Sequence, residues 1–128
     1  MHPESEAAPS APLILLIEDD GSVRKALAFA LRIEGFRLEV HASAESLLRQ
    51  EPPPAAACVV FDLNLPGASG LEALQILRAR GLDCPALLIT TQPKPAIRAE
   101  AEALGVTILE KPLLGGALPS AIRELLSR

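Results

Sequence analysis

Acidic residues that follow two apolar runs of this sequence could hold a divalent cation. Glu18, Asp19 and Asp20 come directly after the run LILLI, and Asp62 comes directly after CVVF. Carboxylates that are brought together repel one another and raise each other's pKa, and a hard cation with oxygen ligands relieves that repulsion. Mg²⁺ fits best, because it takes one or two carboxylates, a carbonyl, several waters and a substrate phosphate. A magnesium site is therefore predicted wherever the fold joins these acids.

Two other polar residues stand at the ends of later apolar runs and suit a phosphate group. Thr90 ends the run ALLIT, and Lys111 follows TILE. A lysine is a point charge for phosphate oxygens, and a threonine hydroxyl is a hydrogen-bond donor. Together with a carboxylate nucleophile and a cation, they are the parts needed for phosphoryl transfer to a carboxylate.

The apolar runs predict five β-strands that would position these residues. Uninterrupted runs such as LILLI and ALLIT are typical of strands buried on both faces, as in a parallel sheet. The run RLEVH alternates instead, which indicates a half-exposed edge strand. The predicted strands cover residues 13–17, 37–41, 57–61, 86–90 and 107–109.

Helical patterns separate the predicted strands. The first helix has one apolar face at spacings of three and four residues, formed by Val23, Ala26, Leu27, Ala30 and Leu31. Ser43 is the expected N-cap of a second helix over residues 44–50, and glycine ends several helices. The third helix runs from Leu71 to a stop at Gly81, the fourth covers 96–104, and the fifth runs from Leu118 to the C-terminus.

Strict alternation of strand and helix predicts an α/β fold, a three-layer (βα)5 doubly wound parallel sheet with right-handed crossovers. The common order for five such strands is 2-1-3-4-5, the flavodoxin-like order, which puts RLEVH at an edge. Ligands of these sheets bind at the carboxyl ends of the central strands. Glu18, Asp19, Asp62, Thr90 and Lys111 would meet there.

Composition excludes several other classes of protein. The 128 residues are 49% hydrophobic and 22% charged, which suits one core, and a net charge of −4 argues against direct nucleic-acid binding. Only Phe29, Phe36 and Phe61 are aromatic, which leaves no stacking platform for a flavin or for bases. No apolar run approaches the length of a membrane span, so we expect no membrane association.

The cysteines and the N-terminal segment bear on location and domain bounds. Cys58 and Cys84 lie 26 residues apart without a CxxC pair, which is typical of buried free thiols in a reduced cytoplasm. Residues 1–12 are acidic and rich in proline and alanine. We expect them to be a disordered leader, with a single domain over 13–128.

The order of these motifs resembles the receiver domain of two-component response regulators, the chemotaxis-regulator fold, over residues 13–127. The matching segments are IEDD followed by Val23-Arg24, DLNLPG followed by Ser69-Gly70-Leu71, LIT, and EKP. The first two helices are most similar to receivers of the nitrogen-fixation regulator type. The resemblance implies a phosphorelay in which a sensor histidine kinase donates the phosphoryl group.

The resemblance also implies a set of metal ligands. Asp19 and Asp62 would bind Mg²⁺ directly, with the backbone carbonyl of Asn64 as a third ligand, and Glu18 would act through a water. Counting back from the arginine of the first helix makes Glu18 and Asp19 the acid pair. Asp20 is then left as a carboxylate at the N-terminus of that helix.

The remaining implied roles concern the phosphoryl group. Asp62 would accept it from a phosphohistidine, Lys111 would pair with its oxygens, and Thr90 would hydrogen-bond to it and report its presence. The chain would then catalyse its own phosphorylation and dephosphorylation without being a conventional enzyme. Taken singly, Asp62 could form an Asx-turn, Thr90 could be an ordinary strand residue, and the Lys111–Pro112 bond, often cis in this family, could be a turn. His41 is predicted to be a surface histidine.

Some residues depart from the family pattern around helix 4, strand 5 and helix 5. The family usually has an aromatic residue where this chain has Ile108, and Phe where it has Leu113. The segment 105–111 is one residue shorter than usual, and the loop after Thr90 contains Pro93 and Pro95. We therefore expect phosphorylation to be retained, with signalling through a non-standard homodimer or partner surface on this face.

Other functions compete with this hypothesis. A degenerate receiver would be a phosphorylation-independent interaction or dimerisation module, but it has no reason to keep the complete set of acids, threonine and lysine. A flavodoxin needs a phosphate-binding loop after strand 1, where this chain has acids. A haloacid-dehalogenase-type phosphatase has a second aspartate where this chain has Asn64.

Overall fold

Five strands alternate with five helices along the chain, as the hydrophobic pattern predicts. The computed structural model describes residues 8–65, 69–113 and 115–128. The strands are β1 (Leu13–Ile17), β2 (Arg37–His41), β3 (Cys58–Asp62), β4 (Ala86–Thr90) and β5 (Thr107–Glu110). The helices are α1 (Gly21–Ile33), α2 (Ala44–Leu48), α3 (Gly70–Ala79), α4 (Pro95–Ala103) and α5 (Ala117–Leu126).

The strands form one parallel sheet in the order β2-β1-β3-β4-β5, which confirms the predicted topology. RLEVH is the edge strand β2, as its alternating pattern indicates. The predicted bounds of β3 and β5 are wrong by one residue. The strand β3 begins at Cys58 and includes Asp62, which pairs with Ile89, and β5 extends to Glu110, which pairs with Thr90.

Two hydrophobic cores lie on opposite faces of the sheet, because side chains alternate along each strand. Leu15, Ile17 and Phe61 point to the core beneath α2, α3 and α4. Ile14, Leu16 and Val60 point to the core beneath α1 and α5. The central strands β3 and β4 are buried along their whole length, and their polar side chains Asp62 and Thr90 stand at their carboxyl ends.

The predicted apolar face of α1 is partly wrong. Leu31 and Ala28 are buried and Leu27 is half-buried, whereas Ala26 and Ala30 are exposed. Alanine is small enough to lie on either face, so the larger leucines four residues apart determine which side meets the sheet. The face is therefore centred on Leu27 and Leu31.

Side-chain caps fix where several helices begin and end. The Asp20, Ser43 and Ser69 side chains accept hydrogen bonds from the first turns of α1, α2 and α3, which satisfies N–H groups that lack a helical partner. The glycines after α1, α3 and α4 have positive φ values, as expected for helix stops. The helix α2 ends at Leu48 rather than residue 50, and α4 begins one residue earlier than predicted.

His41 is buried, so its prediction as a surface histidine is wrong. Its Nδ1 lies 2.7 Å from the Ser46 hydroxyl oxygen, and its Nε2 lies 2.7 Å from Glu39 Oε2. Gln50 donates to the same Glu39 oxygen over 2.6 Å. The ring is covered because α2 crosses the end of this edge strand, and the network joins the two elements.

The aromatic and thiol side chains are distributed unevenly. Phe36 and Phe61 are buried, while Phe29 is 60% exposed on α1. The guanidinium of Arg123 lies 5.2 Å from the centre of the Phe36 ring, at the amino end of β2. Cys58 and Cys84 are free and buried, which confirms the expected role of small apolar side chains.

Residues 1–7 of the expected leader lie outside the described residues. The carbonyls of Ala11 and Pro12 accept hydrogen bonds from the Arg37 side chain and backbone, so the chain is tied to β2 just before β1 begins. Among the helices in the described part of the chain, none is both long enough and apolar enough to cross a bilayer.

Candidate functional site

The carboxyl ends of β1, β3, β4 and β5 bring the predicted site residues to one edge of the sheet. Lys111 follows β5, and its backbone N–H donates to the Thr90 carbonyl over 2.8 Å, which places it beside the end of β4. Its ammonium nitrogen donates to Asp62 Oδ2 at the end of β3, over 2.7 Å. Two residues 49 positions apart in sequence are thus in direct contact.

Asp62 is the last residue of β3 and is 7% exposed. Its Oδ1 accepts a hydrogen bond from the Asn64 backbone N–H over 2.9 Å, and its Oδ2 accepts the one from Lys111. The contact between Asn64 and Asp62 is the Asx-turn that the sequence analysis named as an alternative role for Asp62. The turn and the ion pair coexist, and together they hold both oxygens of the carboxylate.

The helix α3 approaches the end of β3 so closely that only glycine fits at its first position. A Cβ on Gly70 would lie 2.6 Å from the Asp62 carbonyl oxygen and closer still to the Phe61 ring. The Gly70 N–H donates to the Leu63 carbonyl over 3.1 Å. The missing side chain therefore allows the loop after Asp62 to remain tight.

Glu18 is a buried acid beside this pair. Burial raises its pKa, and the neighbouring Asp62 carboxylate adds to that increase. The backbone N–H of Asp20, which donates to Glu18 Oε2 over 3.2 Å, and the charge of Lys111 act in the opposite direction without reversing it. Glu18 is thus held where its negative charge is costly.

Lys111 gains a higher pKa from its acidic surroundings. Burial by itself lowers the pKa, but the hydrogen bond to Asp62 and the charges of Asp62, Glu18 and Asp19 outweigh this effect. The ammonium is therefore retained as a cation. Its side chain is 33% exposed, so it remains accessible from solvent.

Asp19 and Asp20 differ in what they do. Asp20 is the N-cap of α1, where its Oδ1 accepts from the Val23 N–H over 3.0 Å, as the sequence indicates. Asp19 is exposed and follows the last buried residue at the end of β1. The exposed carboxylate that is left for a ligand is therefore Asp19.

Thr90 is the last residue of β4 and is 3% exposed. It lies between the ends of β3 and β5, because Asp62 pairs with Ile89 and Thr90 pairs with Glu110. A cavity of about 290 Å³ opens in front of it, between the loops that follow β3 and β4. Asn64 and Gln92 line this cavity, and Gln92 has a positive φ of 42°.

The donor set at this edge fits a magnesium ion by its chemistry. Within residues 8–65, 69–113 and 115–128, no group of three His, Cys, Asp or Glu side chains is arranged to hold a metal. Mg²⁺ does not require such a group, because it uses one or two carboxylates, a carbonyl and waters. Asp19, Asp62 and a carbonyl of the loop after β3 are oxygen donors of the kind that such a site would use.

Ile108 lies in β5, and Leu113 follows the Lys111–Pro112 bond. Ile108 is half-buried against the core beneath α3 and α4, and Leu113 packs against the opposite core. The Lys111–Pro112 bond is cis. Pro66 and Gly67, which belong to the matching motif after Asp62, lie outside the described residues.

Sequence reasoning used Arg24 only to count positions and missed its contacts. The Arg24 side chain donates to the carbonyls of Glu18 and Asp19. The available signal was its place in the first turn of α1, because helical side chains tilt toward the N-terminus of their helix. The hydrogen bonds around His41 had no comparable signal in the sequence.

Comparison with known proteins gives a consistent result. A family model described as the response regulator receiver domain matches residues 14–123. The transcriptional regulatory protein FixJ of Azorhizobium caulinodans is 36% identical over 121 residues, covering 94% of this chain and 57% of that protein. The sensory transduction protein RegX3 of Mycolicibacterium smegmatis is 34% identical, covering 90% of this chain and 50% of that protein. The chain thus spans about half the length of the curated relatives it matches.

Solved structures share the fold. The crystal structure of FixJ-N has a TM-score of 0.82 and 30% identity, covering 93% of this chain and 96% of that one. The chemotaxis protein CheY4 of Vibrio cholerae also has a TM-score of 0.82, at 24% identity, covering 91% of this chain and all of that one. At this low sequence identity, the similarity to CheY4 supports only the assignment of the fold. The expected similarity to nitrogen-fixation regulator receivers is confirmed by the FixJ relatives.

Proposed function

Because the chain belongs to the response regulator receiver domain family, we propose that it is a phosphoacceptor of a two-component phosphorelay. Asp62 receives the phosphoryl group from a phosphohistidine of a sensor histidine kinase. Mg²⁺ is the proposed cofactor, and the phosphorylated state changes protein–protein interactions. A cytoplasmic location is part of the proposal, because both cysteines are free thiols.

One observation carries this proposal above the others. The Asp62 carboxylate at the end of the central strand β3 is paired with the Lys111 ammonium over 2.7 Å, beside the acids Glu18 and Asp19. A buried ion pair that only stabilised the fold would not need two further acids next to it, because they add repulsion. A phosphoacceptor site does need such acids, because they would bind the Mg²⁺ ion that balances the charge of the phosphoryl group.

The transfer itself is a substitution at phosphorus. An oxygen of Asp62 forms a bond to the phosphorus atom, and the bond between phosphorus and the histidine nitrogen of the kinase breaks. The electron pair of the broken bond stays on the imidazole, which takes up a proton as it leaves. The product is an acyl phosphate on Asp62, and no oxidant or reductant takes part.

The residues around Asp62 supply orientation and charge. The Asn64 N–H holds Oδ1 in place, and Lys111 moves from Oδ2 to the oxygens of the arriving phosphoryl group. The Thr90 hydroxyl donates to the same group and makes its presence detectable at the end of β4. Asp19, Asp62 and the Asn64 carbonyl would hold Mg²⁺, with Glu18 acting through a water, and the ion when bound would supply positive charge for the phosphoryl oxygens.

How phosphorylation of Asp62 would change the interactions of the protein stays a prediction. Ile108 stands where the resemblance leads us to expect an aromatic residue, and it is half-buried against the core beneath α2, α3 and α4. A homodimer or partner surface formed by α4, β5 and α5 is the corresponding proposal. The alternative is a phosphorylation-independent interaction module, which the retained Asp62–Lys111 pair argues against.

Phosphorylation by a small donor tests the proposal directly. The protein is incubated with acetyl phosphate and Mg²⁺, and intact mass spectrometry measures the fraction that gains one phosphoryl group. We expect the wild type to gain this mass and Asp62→Asn not to gain it. Asp83→Asn is the matched control, because Asp83 is exposed at the opposite end of the sheet.

Each result has a clear reading. Loss of the added mass in Asp62→Asn, with the mass kept in Asp83→Asn, supports Asp62 as the acceptor. A folded wild type that gains no mass would favour the interaction module instead. Added mass that persists in Asp62→Asn would move the acceptor to another residue.

A further inference from the structure

The Arg24 guanidinium holds the loop that carries the acids at the end of β1. Its Nη1 donates to the Glu18 carbonyl oxygen over 2.9 Å and to the Asp19 carbonyl oxygen over 3.3 Å. These two carbonyls belong to the two peptide groups on either side of Asp19. Because peptide groups are planar, the φ and ψ angles of Asp19 are the rotations that relate these two planes. One guanidinium nitrogen therefore constrains both angles and the direction of the Asp19 side chain.

The residues on either side of Asp19 are held by contacts of their own. The ladder between β1 and β2 ends with the Glu18 N–H, which donates to the His41 carbonyl over 3.1 Å. Asp20, on the other side, uses its side chain to cap α1. Asp19 lies between these two anchors and is exposed, so the Arg24 side chain supplies a hold that neither of them provides.

Arg24 is suited to this contact by its place in the chain. It lies in the first turn of α1, where its N–H donates to the Asp20 carbonyl over 2.8 Å. Its side chain points back toward the start of the helix, over the loop. The guanidinium is planar and has several N–H donors, so it can serve two carbonyls at once.

We propose that Arg24 is a positioning residue for the divalent cation of this site, an inference that rests on the proposed function. Arg24 contacts neither the cation nor the phosphoryl group. It fixes the backbone of Asp19 before the cation arrives, so that binding requires less ordering of the loop. Residues that orient metal ligands in this way typically change metal affinity by about 10- to 100-fold when they are removed.

The sign of the effect separates this role from simple electrostatics. Arg24 carries a positive charge close to the acids, and that charge repels a cation. If charge were its only influence, neutralising Arg24 would strengthen Mg²⁺ binding. If Arg24 positions Asp19, neutralising it weakens Mg²⁺ binding, because the lost orientation outweighs the removed repulsion.

The test is an NMR titration of the unphosphorylated protein with MgCl₂, which gives the Mg²⁺ dissociation constant from backbone amide shifts. We expect Arg24→Gln to weaken binding about tenfold. Lys25→Gln is the control, because it removes the same charge from the next residue of α1, where the Lys25 side chain is exposed. This control is expected to bind Mg²⁺ as tightly as the wild type or slightly more tightly.

Arg24→Lys completes the series, because an ammonium on a flexible stem is a poorer match for two carbonyls. We expect the Mg²⁺ affinity of Arg24→Lys to lie between those of the wild type and Arg24→Gln. If Arg24→Gln does not fold, the affinity of Arg24→Lys tests the positioning role in its place. Unchanged or tighter binding in the Arg24 variants would overturn the positioning role while leaving the proposed function intact. A wild type that does not bind Mg²⁺ would instead remove the proposed function and this inference together.

Discussion

At the scale of single residues, the site depends on the Lys111 ammonium, which already contacts the proposed nucleophile Asp62. Lys111 follows β5 and reaches Asp62 across β4, and the acids around it raise its pKa, so its charge is secure at neutral pH. In the phosphorylated state, the same ammonium would neutralise an oxygen of the phosphoryl group. The Lys111 ammonium should therefore stabilise the transition state of phosphoryl transfer more than it stabilises the unphosphorylated protein.

Replacing Lys111 tests this contribution. We expect Lys111→Gln to slow phosphorylation by acetyl phosphate about 100-fold, which is typical for loss of one donor to a developing negative charge. The measurement is the initial rate of phosphoryl mass gain at saturating Mg²⁺. Lys94→Gln, an exposed lysine that precedes α4, should leave the rate unchanged. Equal rates in the wild type and Lys111→Gln would contradict the assigned role.

The residues at strand ends were predictable from sequence, whereas most of their contacts were not. Asp62, Thr90 and Lys111 follow buried runs, and parallel strands end at a common edge, so their proximity follows from topology. The contacts of Arg24 and His41 depend on how side chains reach across elements. Such reach depends on rotamers and on burial by neighbouring helices, which periodicity does not describe.

At the scale of elements, the geometry of the site is set by how closely a helix can approach a strand. The helix α3 begins at Gly70, directly over the last two residues of β3. Two arginines at the C-terminal end of α3 also hold the ends of neighbouring helices. Arg80 donates to the Leu48 carbonyl at the end of α2, and Arg78 donates to the Leu104 carbonyl after α4.

A methyl group at Gly70 should disturb both fold and site. We expect Gly70→Ala to lower the free energy of unfolding by about 2 kcal/mol, which is typical of an overpacked position. The clash is with the Phe61 ring and with the Asp62 backbone, so phosphorylation should slow as well. Urea denaturation gives the stability. Gly116→Ala is the control, since among the described residues its Cβ would meet only the Ser120 hydroxyl oxygen, at 4.0 Å. If Gly116→Ala lost as much stability as Gly70→Ala, the packing argument would be refuted.

At the scale of the whole molecule, one sheet separates two cores, and each core contains one thiol. Cys58 belongs to the core beneath α1 and α5, and Cys84 belongs to the opposite core. Burial raises the pKa of Cys58 to about 12 and that of Cys84 to about 11. The sheet topology follows from the alternation of strands and helices and was predictable, whereas composition indicated one core and the structure has two. The rotation of α1 was not predictable either, because its alanines fit either face.

The thiols should make the folded state weaker in alkali. Above about pH 9 the unfolded chain loses thiol protons that the folded chain retains, so the free energy of unfolding falls as pH rises, up to the folded pKa. Each thiol contributes about 1.4 kcal/mol per pH unit in that window. Cys58→Ala should reduce the slope measured by urea denaturation between pH 9 and 11. Val60→Ala, a cavity variant in the same core, should lose stability but keep the slope, and an unchanged slope in Cys58→Ala would contradict the assignment.

The three phenylalanines of the chain lie in three different surroundings. Phe61 lies beside Asp62 under the start of α3, Phe36 lies at the opposite end of the sheet beneath Arg123, and Phe29 faces solvent. Ring-fluorinated phenylalanine would therefore place one spectroscopic label in each region without any mutation. A fluorine spectrum could follow the phosphorylation edge, the far end and the surface of α1 as three separate signals.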